Sequence, residues 1–127
     1  MADKVLLVED DTDIREIITL ILSNENFEIL QSSADKLESD MATFKPDLVI
    51  LDYLLNHKLS GADLCRIIKA GKETEHLPVI LVSAIPELEH ISKRCGATAY
   101  ITKPFDIVEF IKTATDSLKA VNNAETL

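Results

Sequence analysis

Five polar side chains in this sequence stand directly after short apolar runs, and their types suit phosphate and metal chemistry. They are three carboxylates, one hydroxyl and one amine: Glu9, Asp10, Asp52, Ser83 and Lys103. Clustered carboxylates repel one another, and a hard cation with oxygen ligands or a basic side chain offsets that repulsion. Lys103 can supply the basic side chain, since lysine commonly pairs with a phosphate oxygen. These residue types predict a site for a divalent metal and a phosphate.

The apolar runs before these residues predict five buried β-strands, at about 5–8, 27–30, 47–51, 78–82 and 99–101. Near-continuous apolar character is typical of strands in a parallel sheet that is covered on both faces. Ligands of such sheets bind beyond the carboxyl ends of the strands, near the switch in strand order. We therefore expect the five polar side chains to meet at one edge of the sheet.

Segments of helical periodicity alternate with the strands. The first begins after Asp11, which we assign to capping, and the second covers about 35–43. The third is closed by Gly71, the fourth covers 87–95 with Gly96 as its terminator, and the last covers about 106–121. The residues expected to face inward from the first, third and last helices are Ile14, Ile17, Ile18, Ile21, Leu22, Leu64, Ile67, Ile68, Ile107, Phe110, Ile111, Ala114 and Leu118.

Alternating strands and helices predict an α/β fold with right-handed crossovers and three layers. The length of 127 residues suits a single domain, 1–127, with a core at about 3–121 and a polar tail at 122–127 that is expected to fray.

A net charge of −9 argues against direct binding to nucleic acid, which needs a clustered basic surface. No apolar run approaches the length of a membrane span, and the N-terminus is too acidic for a signal peptide. We expect a cytoplasmic protein without membrane contact, in which Cys65 and Cys95 are reduced and partly buried. His57 is expected to be a mobile surface residue.

The chain resembles a response-regulator receiver domain, the phosphoacceptor half of two-component signalling, over about residues 4–121. The motifs that carry the resemblance are Val-Glu-Asp-Asp at 8–11, Leu-Asp at 51–52, Ser-Ala at 83–84 and Lys-Pro-Phe at 103–105. The family's strand order is 2-1-3-4-5. The resemblance thus implies a doubly wound five-stranded parallel sheet with five helices on both faces, in a flavodoxin-like three-layer sandwich.

The resemblance also implies a role for each acidic residue. Asp52 would take a phosphoryl group from a sensor histidine kinase or a histidine phosphotransfer protein. Asp10, Asp52 and the backbone carbonyl of Leu54 would ligate Mg²⁺ (or Mn²⁺), while Glu9 would act through bound water.

By the same resemblance, Ser83 and Lys103 would bind the phosphate, and the peptide bond into Pro104 would be cis. Tyr100 would be the switch aromatic. The chain would signal to an unidentified downstream protein as a monomer or weak dimer. It would not be an enzyme, apart from slow self-dephosphorylation.

The sequence departs from the family pattern in two places. After Asp52, Asn56 stands where the family has proline, and Gly61 arrives one residue late. The loop there is expected to be longer and more mobile. The stretch 83–96 is about two residues shorter than in many relatives, which predicts a short or displaced fourth helix.

Three other classes of function fit the sequence less well. A small phosphatase or phosphotransferase with an aspartyl-phosphate intermediate would need a second acid and a substrate-capping insertion, for which the chain has no room. A flavin or nucleotide module would need a phosphate-cradling loop, which three glycines in total do not provide. A degenerate receiver would lack part of the acidic, serine and lysine set, and that set is complete.

Overall fold

The computed structural model of this chain describes residues 2–126 and, from residue 121 onward, the backbone only. Strands and helices alternate in it as predicted. They are β1 (Lys4–Val8), α1 (Thr12–Asn24), β2 (Glu28–Ser32), α2 (Leu37–Phe44), β3 (Leu48–Asp52), α3 (Gly61–Ala70), β4 (Val79–Ser83), α4 (Leu88–Cys95), β5 (Ala99–Thr102) and α5 (Ile107–Thr126).

The five strands form one parallel sheet in the order β2-β1-β3-β4-β5. The chain starts near the middle of the sheet, moves outward to β2, then crosses back to β3 and continues to β5. The strand order therefore reverses between β1 and β3, and the carboxyl ends of these strands are where sheets of this kind bind ligands. The predicted doubly wound, flavodoxin-like sandwich is confirmed.

Two hydrophobic cores lie on opposite faces of the sheet, because successive strand residues point to opposite sides. Leu6, Leu51 and Leu81 belong to the core that α2, α3 and α4 cover. Leu7 and Ile50 belong to the other core, which α1 and α5 cover. All ten residues of β3 and β4 are buried, so these central strands form a rigid base for the residues at their ends.

The structure confirms two of the helix ends that were predicted from capping residues. The Asp11 carboxylate accepts a hydrogen bond from the Ile14 amide at 3.0 Å and so begins α1. Gly96 ends α4 in the left-handed region, at φ 84°. Helix α4 has eight residues, as short as predicted.

Three isoleucines that were predicted to face inward are exposed instead. Ile17 is 46%, Ile67 43% and Ile107 56% exposed. Ile17 and Ile67 lie one position before the buried Ile18 and Ile68, at the margin of their helical faces, whereas Ile107 is the first residue of α5, one turn before the buried Phe110. Helix α5 also continues past its predicted end at 121 to Thr126, because neither proline nor glycine interrupts it. Residue 127 of the predicted tail lies outside the described residues.

The two cysteines are buried thiols between α3 and α4. The Cys65 thiol donates to the Cys95 carbonyl oxygen at 3.4 Å, and burial raises the pKa of the Cys65 thiol to about 12. Over residues 2–126, no helix is long and apolar enough to cross a membrane.

Candidate functional site

The carboxyl edge of the sheet brings the predicted site residues together. Strands β1, β3, β4 and β5 are consecutive neighbours, and each ends at or next to one or two of those residues. The residues at these ends are Glu9 and Asp10 after β1, Asp52 at the end of β3, Ser83 at the end of β4 and Lys103 after β5.

Lys103 joins two of the carboxylates. Its Nζ lies 2.8 Å from Oε1 of Glu9 and 3.2 Å from Oδ2 of Asp52. Glu9 is only 2% exposed and Asp52 7% exposed, so both ion pairs are largely shielded from water. The triad joins three strand ends that are far apart in the sequence.

Burial and the neighbouring charges shift the pKa values of Glu9 and Lys103 in this cluster. Burial is the main cause that raises the pKa of Glu9 to about 7, and the adjacent Asp52 raises it further, against the lowering effect of Lys103. Burial lowers the pKa of Lys103, but the two carboxylates outweigh that effect and raise it overall. A second cation beside the carboxylates would relieve their repulsion.

The β3–α3 loop, residues 53–60, folds over the acidic residues. The Asn56 backbone amide donates a short hydrogen bond to Oδ2 of Asp10, and the Leu54 amide donates to Oδ1 of Asp52 at 3.3 Å. The backbone of the loop therefore contacts both of the carboxylates that were expected to bind metal.

His57 lies on the surface, as expected, and it contacts a second segment of the chain. Its Nε2 lies 2.9 Å from Oδ1 of Asp35, and its Nδ1 accepts a hydrogen bond from the Leu59 amide at 3.1 Å. Sequence reasoning missed this contact, because Asp35 lies 22 residues away and no local pattern links the two side chains.

Ser83 carries a hydroxyl that lacks a protein partner. The residue is 1% exposed, and its Oγ finds no hydrogen-bond partner within residues 2–126. A buried hydroxyl without a partner costs about 1–3 kcal/mol, which a ligand oxygen would recover. Its carbonyl oxygen accepts from the Lys103 amide at 2.9 Å, which ties the ends of β4 and β5 together.

The Lys103–Pro104 peptide bond is cis. Tyr100 lies outside the acidic cluster, on the surface of β5, where its hydroxyl donates to Oε2 of Glu89 at 2.7 Å. That hydrogen bond raises the pKa of Tyr100 and links β5 to α4.

The donor set at this edge fits Mg²⁺. In the described part of the chain, no three His, Cys, Asp or Glu side chains group closely enough to hold a metal by themselves. Mg²⁺ needs no such cage, since it binds through one or two carboxylates and keeps several waters. Asp10 and Asp52 carry oxygen atoms of the kind that Mg²⁺ prefers, and they would be its ligands here.

The sequence profile of the response regulator receiver domain matches residues 5–115. The chain belongs to this family. Receiver domains are the signalling domains of two-component response regulators, which histidine kinases phosphorylate.

Two curated relatives illustrate the similarity of this receiver domain. It is 35% identical over 120 residues to the heme response regulator HssR of Staphylococcus saprophyticus, covering 92% of this chain and 52% of HssR. It is also 35% identical over 113 residues to sporulation initiation phosphotransferase F of Bacillus subtilis, covering 86% of this chain and 88% of that protein. The chain spans about half the length of most of the curated relatives it matches.

Solved structures agree with the fold. The receiver domain of NtrX from Brucella abortus superposes with a TM-score of 0.83 at 34% identity, covering 91% of this chain and 98% of that one. A response regulator from Chloroflexus aurantiacus gives a TM-score of 0.89 at 24% identity, over 94% of this chain and 99% of the other.

Proposed function

We propose that Asp52 accepts a phosphoryl group from a phosphohistidine of a sensor histidine kinase or histidine phosphotransfer protein. The observation that carries the proposal is the contact between Lys103 Nζ and the buried Asp52 carboxylate, at 3.2 Å, at the carboxyl edge of a receiver fold. In this position Asp52 is a nucleophile with a fixed cation beside the oxygens of an incoming phosphate.

The transfer exchanges one bond to phosphorus for another. An Asp52 carboxylate oxygen forms a bond to phosphorus as the bond from phosphorus to the imidazole nitrogen breaks, and the leaving imidazole keeps that electron pair and takes up a proton. Phosphoryl transfer needs mainly positioning and charge neutralisation. Here Lys103 neutralises the phosphate, and the Ser83 hydroxyl donates a hydrogen bond to one of its oxygens.

Mg²⁺ would be held by Asp10, Asp52 and the Leu54 backbone carbonyl, with Glu9 acting through water. When bound, the ion neutralises negative charge on the carboxylates and on the phosphate oxygens. Mn²⁺ prefers the same oxygen ligands and is expected to substitute.

The aspartyl phosphate would then change a protein-binding surface. Ser83 ends β4, and in the register of β4 with β5 it pairs with Thr102, two residues after Tyr100. Movement of Ser83 toward a phosphate would therefore be transmitted along β5 to Tyr100 and its partner Glu89 on α4. The similarity to sporulation initiation phosphotransferase F supports a role in a phosphorelay.

The experiment that tests this function is phosphorylation with a small acyl-phosphate donor. We expect intact-mass spectrometry to show a gain of one phosphoryl group that requires Mg²⁺ and that Asp52→Asn abolishes. Asp116→Asn is the matched control, because Asp116 lies on the exposed face of α5 and pairs with Lys112. Modification that persists in Asp52→Asn, or that ignores chelation of the metal, would refute the proposal.

A further inference from the structure

The β3–α3 loop runs over the carboxyl ends of the strands, from β3 toward β1 and β2 and away from β4 and β5. It leaves β3, contacts Asp10 at the end of β1 through Asn56, and reaches the β2–α2 connection at Asp35 through His57. Since β3, β1 and β2 are consecutive in the sheet, the loop lies across the carboxyl end of β1. Its two ends are also fixed, because the Gly61 amide donates to the Tyr53 carbonyl oxygen at 2.9 Å.

The hydrogen bonds of His57 define how the loop is fastened. Nδ1 accepts from the Leu59 amide, so the ring proton of the neutral imidazole belongs on Nε2, where it donates to Asp35. The His57 side chain is 26% exposed and that of Asp35 84%. The His57 ring thus closes a turn within the loop and also joins the loop to the β2–α2 connection.

We propose that His57 and Asp35 are positioning residues for Mg²⁺ binding. By fastening the loop they hold its backbone against Asp10 and Asp52, which the proposed function makes metal ligands. Neither His57 nor Asp35 touches the metal. The inference rests on the proposed function, and it assigns a purpose to the lengthened loop.

Geometry explains why such a fastening matters to this ion. Mg²⁺ demands near-ideal octahedral coordination, so ligands on an unfastened loop would spend less time in the required arrangement. Residues that orient metal ligands through hydrogen bonds typically change affinity by about 10–100-fold when they are replaced. A surface ion pair without such a role contributes little, about 0–1 kcal/mol, and only to folding.

The test measures the affinity of the full chain for Mg²⁺ alone by isothermal titration calorimetry. His57→Asn retains an acceptor near the position of Nδ1 but cannot reach Asp35, and Asp35→Ala removes the partner from an exposed position where the fold does not depend on it. We expect each variant to bind Mg²⁺ about tenfold more weakly. The double variant should be no weaker than either single variant, because both remove the same contact.

A second measurement separates positioning from general loss of structure. We expect hydrogen exchange of the Asn56 amide to accelerate in both metal-free variants, while amides of β3 keep their wild-type rates. His76→Asn is the matched control, since His76 lies just before β4, at the amino ends of the strands and away from the site. It should leave both measurements unchanged.

The outcomes distinguish the two proposals. If wild-type protein binds Mg²⁺ and both variants bind it equally well, the positioning role is refuted and the phosphoacceptor function stands. If the two substitutions weaken binding additively, or if His76→Asn weakens it as much, the specific His57–Asp35 coupling is refuted. Wild-type protein that binds no Mg²⁺ would overturn the proposed function together with this inference.

Discussion

At the scale of single residues, the most unusual group is Glu9. It is buried just after β1, and in the part of the chain whose side chains are described Lys103 is the one cation that contacts its carboxylate, a cation that it shares with Asp52. Burial disfavours the charged form of the Glu9 carboxylate more strongly than the shared Lys103 ammonium favours it. The pKa of Glu9 is therefore raised to about 7. A raised pKa means that the folded protein binds the Glu9 proton more tightly than the unfolded chain does.

The raised pKa predicts the sign of a pH effect on folding. Below the unfolded value of 4.5, Glu9 is protonated in both states and its stabilising contribution is complete. As pH rises from 4.5 to about 7, the unfolded chain ionises first and the contribution is lost. Relative to Glu9→Gln, metal-free wild-type protein should therefore lose up to about 3 kcal/mol of unfolding free energy across that window.

Urea unfolding at a series of pH values in chelator-treated buffer measures this difference. Glu28→Gln is the control, because Glu28 is an exposed glutamate on β2, away from the carboxylates of the site. If the free energy of unfolding had the same pH dependence in wild-type protein and in Glu9→Gln, folding would not raise the pKa of Glu9, and the prediction would be wrong.

At the scale of elements, the junction between the β3–α3 loop and α3 is packed closely against the end of β3. A Cβ on Gly61 would lie 2.8 Å from the Asp52 carbonyl carbon and 2.9 Å from the Tyr53 Cα. Both are backbone atoms that cannot rotate away. Ser60 and Asp63 add a capping box here, with hydrogen bonds of 3.1 and 2.9 Å, so the start of α3 is fixed directly against Asp52.

We expect Gly61→Ala to lower the free energy of unfolding by about 3 kcal/mol, since overpacking against backbone forces the loop to shift. Gly71→Ala is the matched control. Its new Cβ would meet the Thr74 hydroxyl, a side-chain group that can rotate away at the cost of its 2.6 Å hydrogen bond to the Ile68 carbonyl oxygen, and the expected loss is about 1 kcal/mol. Equal losses in the two variants, measured by chemical denaturation, would contradict the packing argument.

Elements whose signal is local could be predicted from the sequence. The strand that ends at Asp52 is a continuous apolar run. Asp11 indicates the start of α1 because its carboxylate can cap a helix, and Gly96 indicates the end of α4 because glycine readily adopts a left-handed conformation. The fastening of the β3–α3 loop could not be predicted, because it depends on a contact between His57 and Asp35 that exists only after β2 and β3 have paired with β1. The helical periodicity of apolar residues likewise predicts which side of a helix is buried, but not how many residues on that side are covered. For this reason Ile17 and Ile67 were wrongly predicted to face inward.

At the scale of the whole molecule, charge and topology act on the same edge. The chain carries 22 acidic and 13 basic residues, and the fold gathers three of the acids at the carboxyl ends of β1 and β3. Folding thus concentrates repulsion that the unfolded chain does not experience. A ligand that binds only the folded state and neutralises this edge must stabilise the entire domain.

Addition of Mg²⁺ is therefore expected to raise the melting temperature. At about one hundred times its Kd, the ion should contribute about 2.7 kcal/mol, and chelation should reverse the gain. Calorimetry or thermal circular dichroism measures the shift, with sodium chloride at matched ionic strength as the control for screening. Asp10→Asn should remove most of the response, and a Mg²⁺ effect of equal size in that variant would argue against a specific site.

The two buried thiols have a practical consequence for experiments on this domain. Thiol-directed reagents attack an accessible thiolate, whereas Cys65 and Cys95 are enclosed between α3 and α4, and the Cys65 thiol has a pKa of about 12. A cysteine introduced on the surface would be alkylated first at neutral pH. Spin labels or fluorescent dyes can therefore be attached at a chosen site while the native cysteines stay in place.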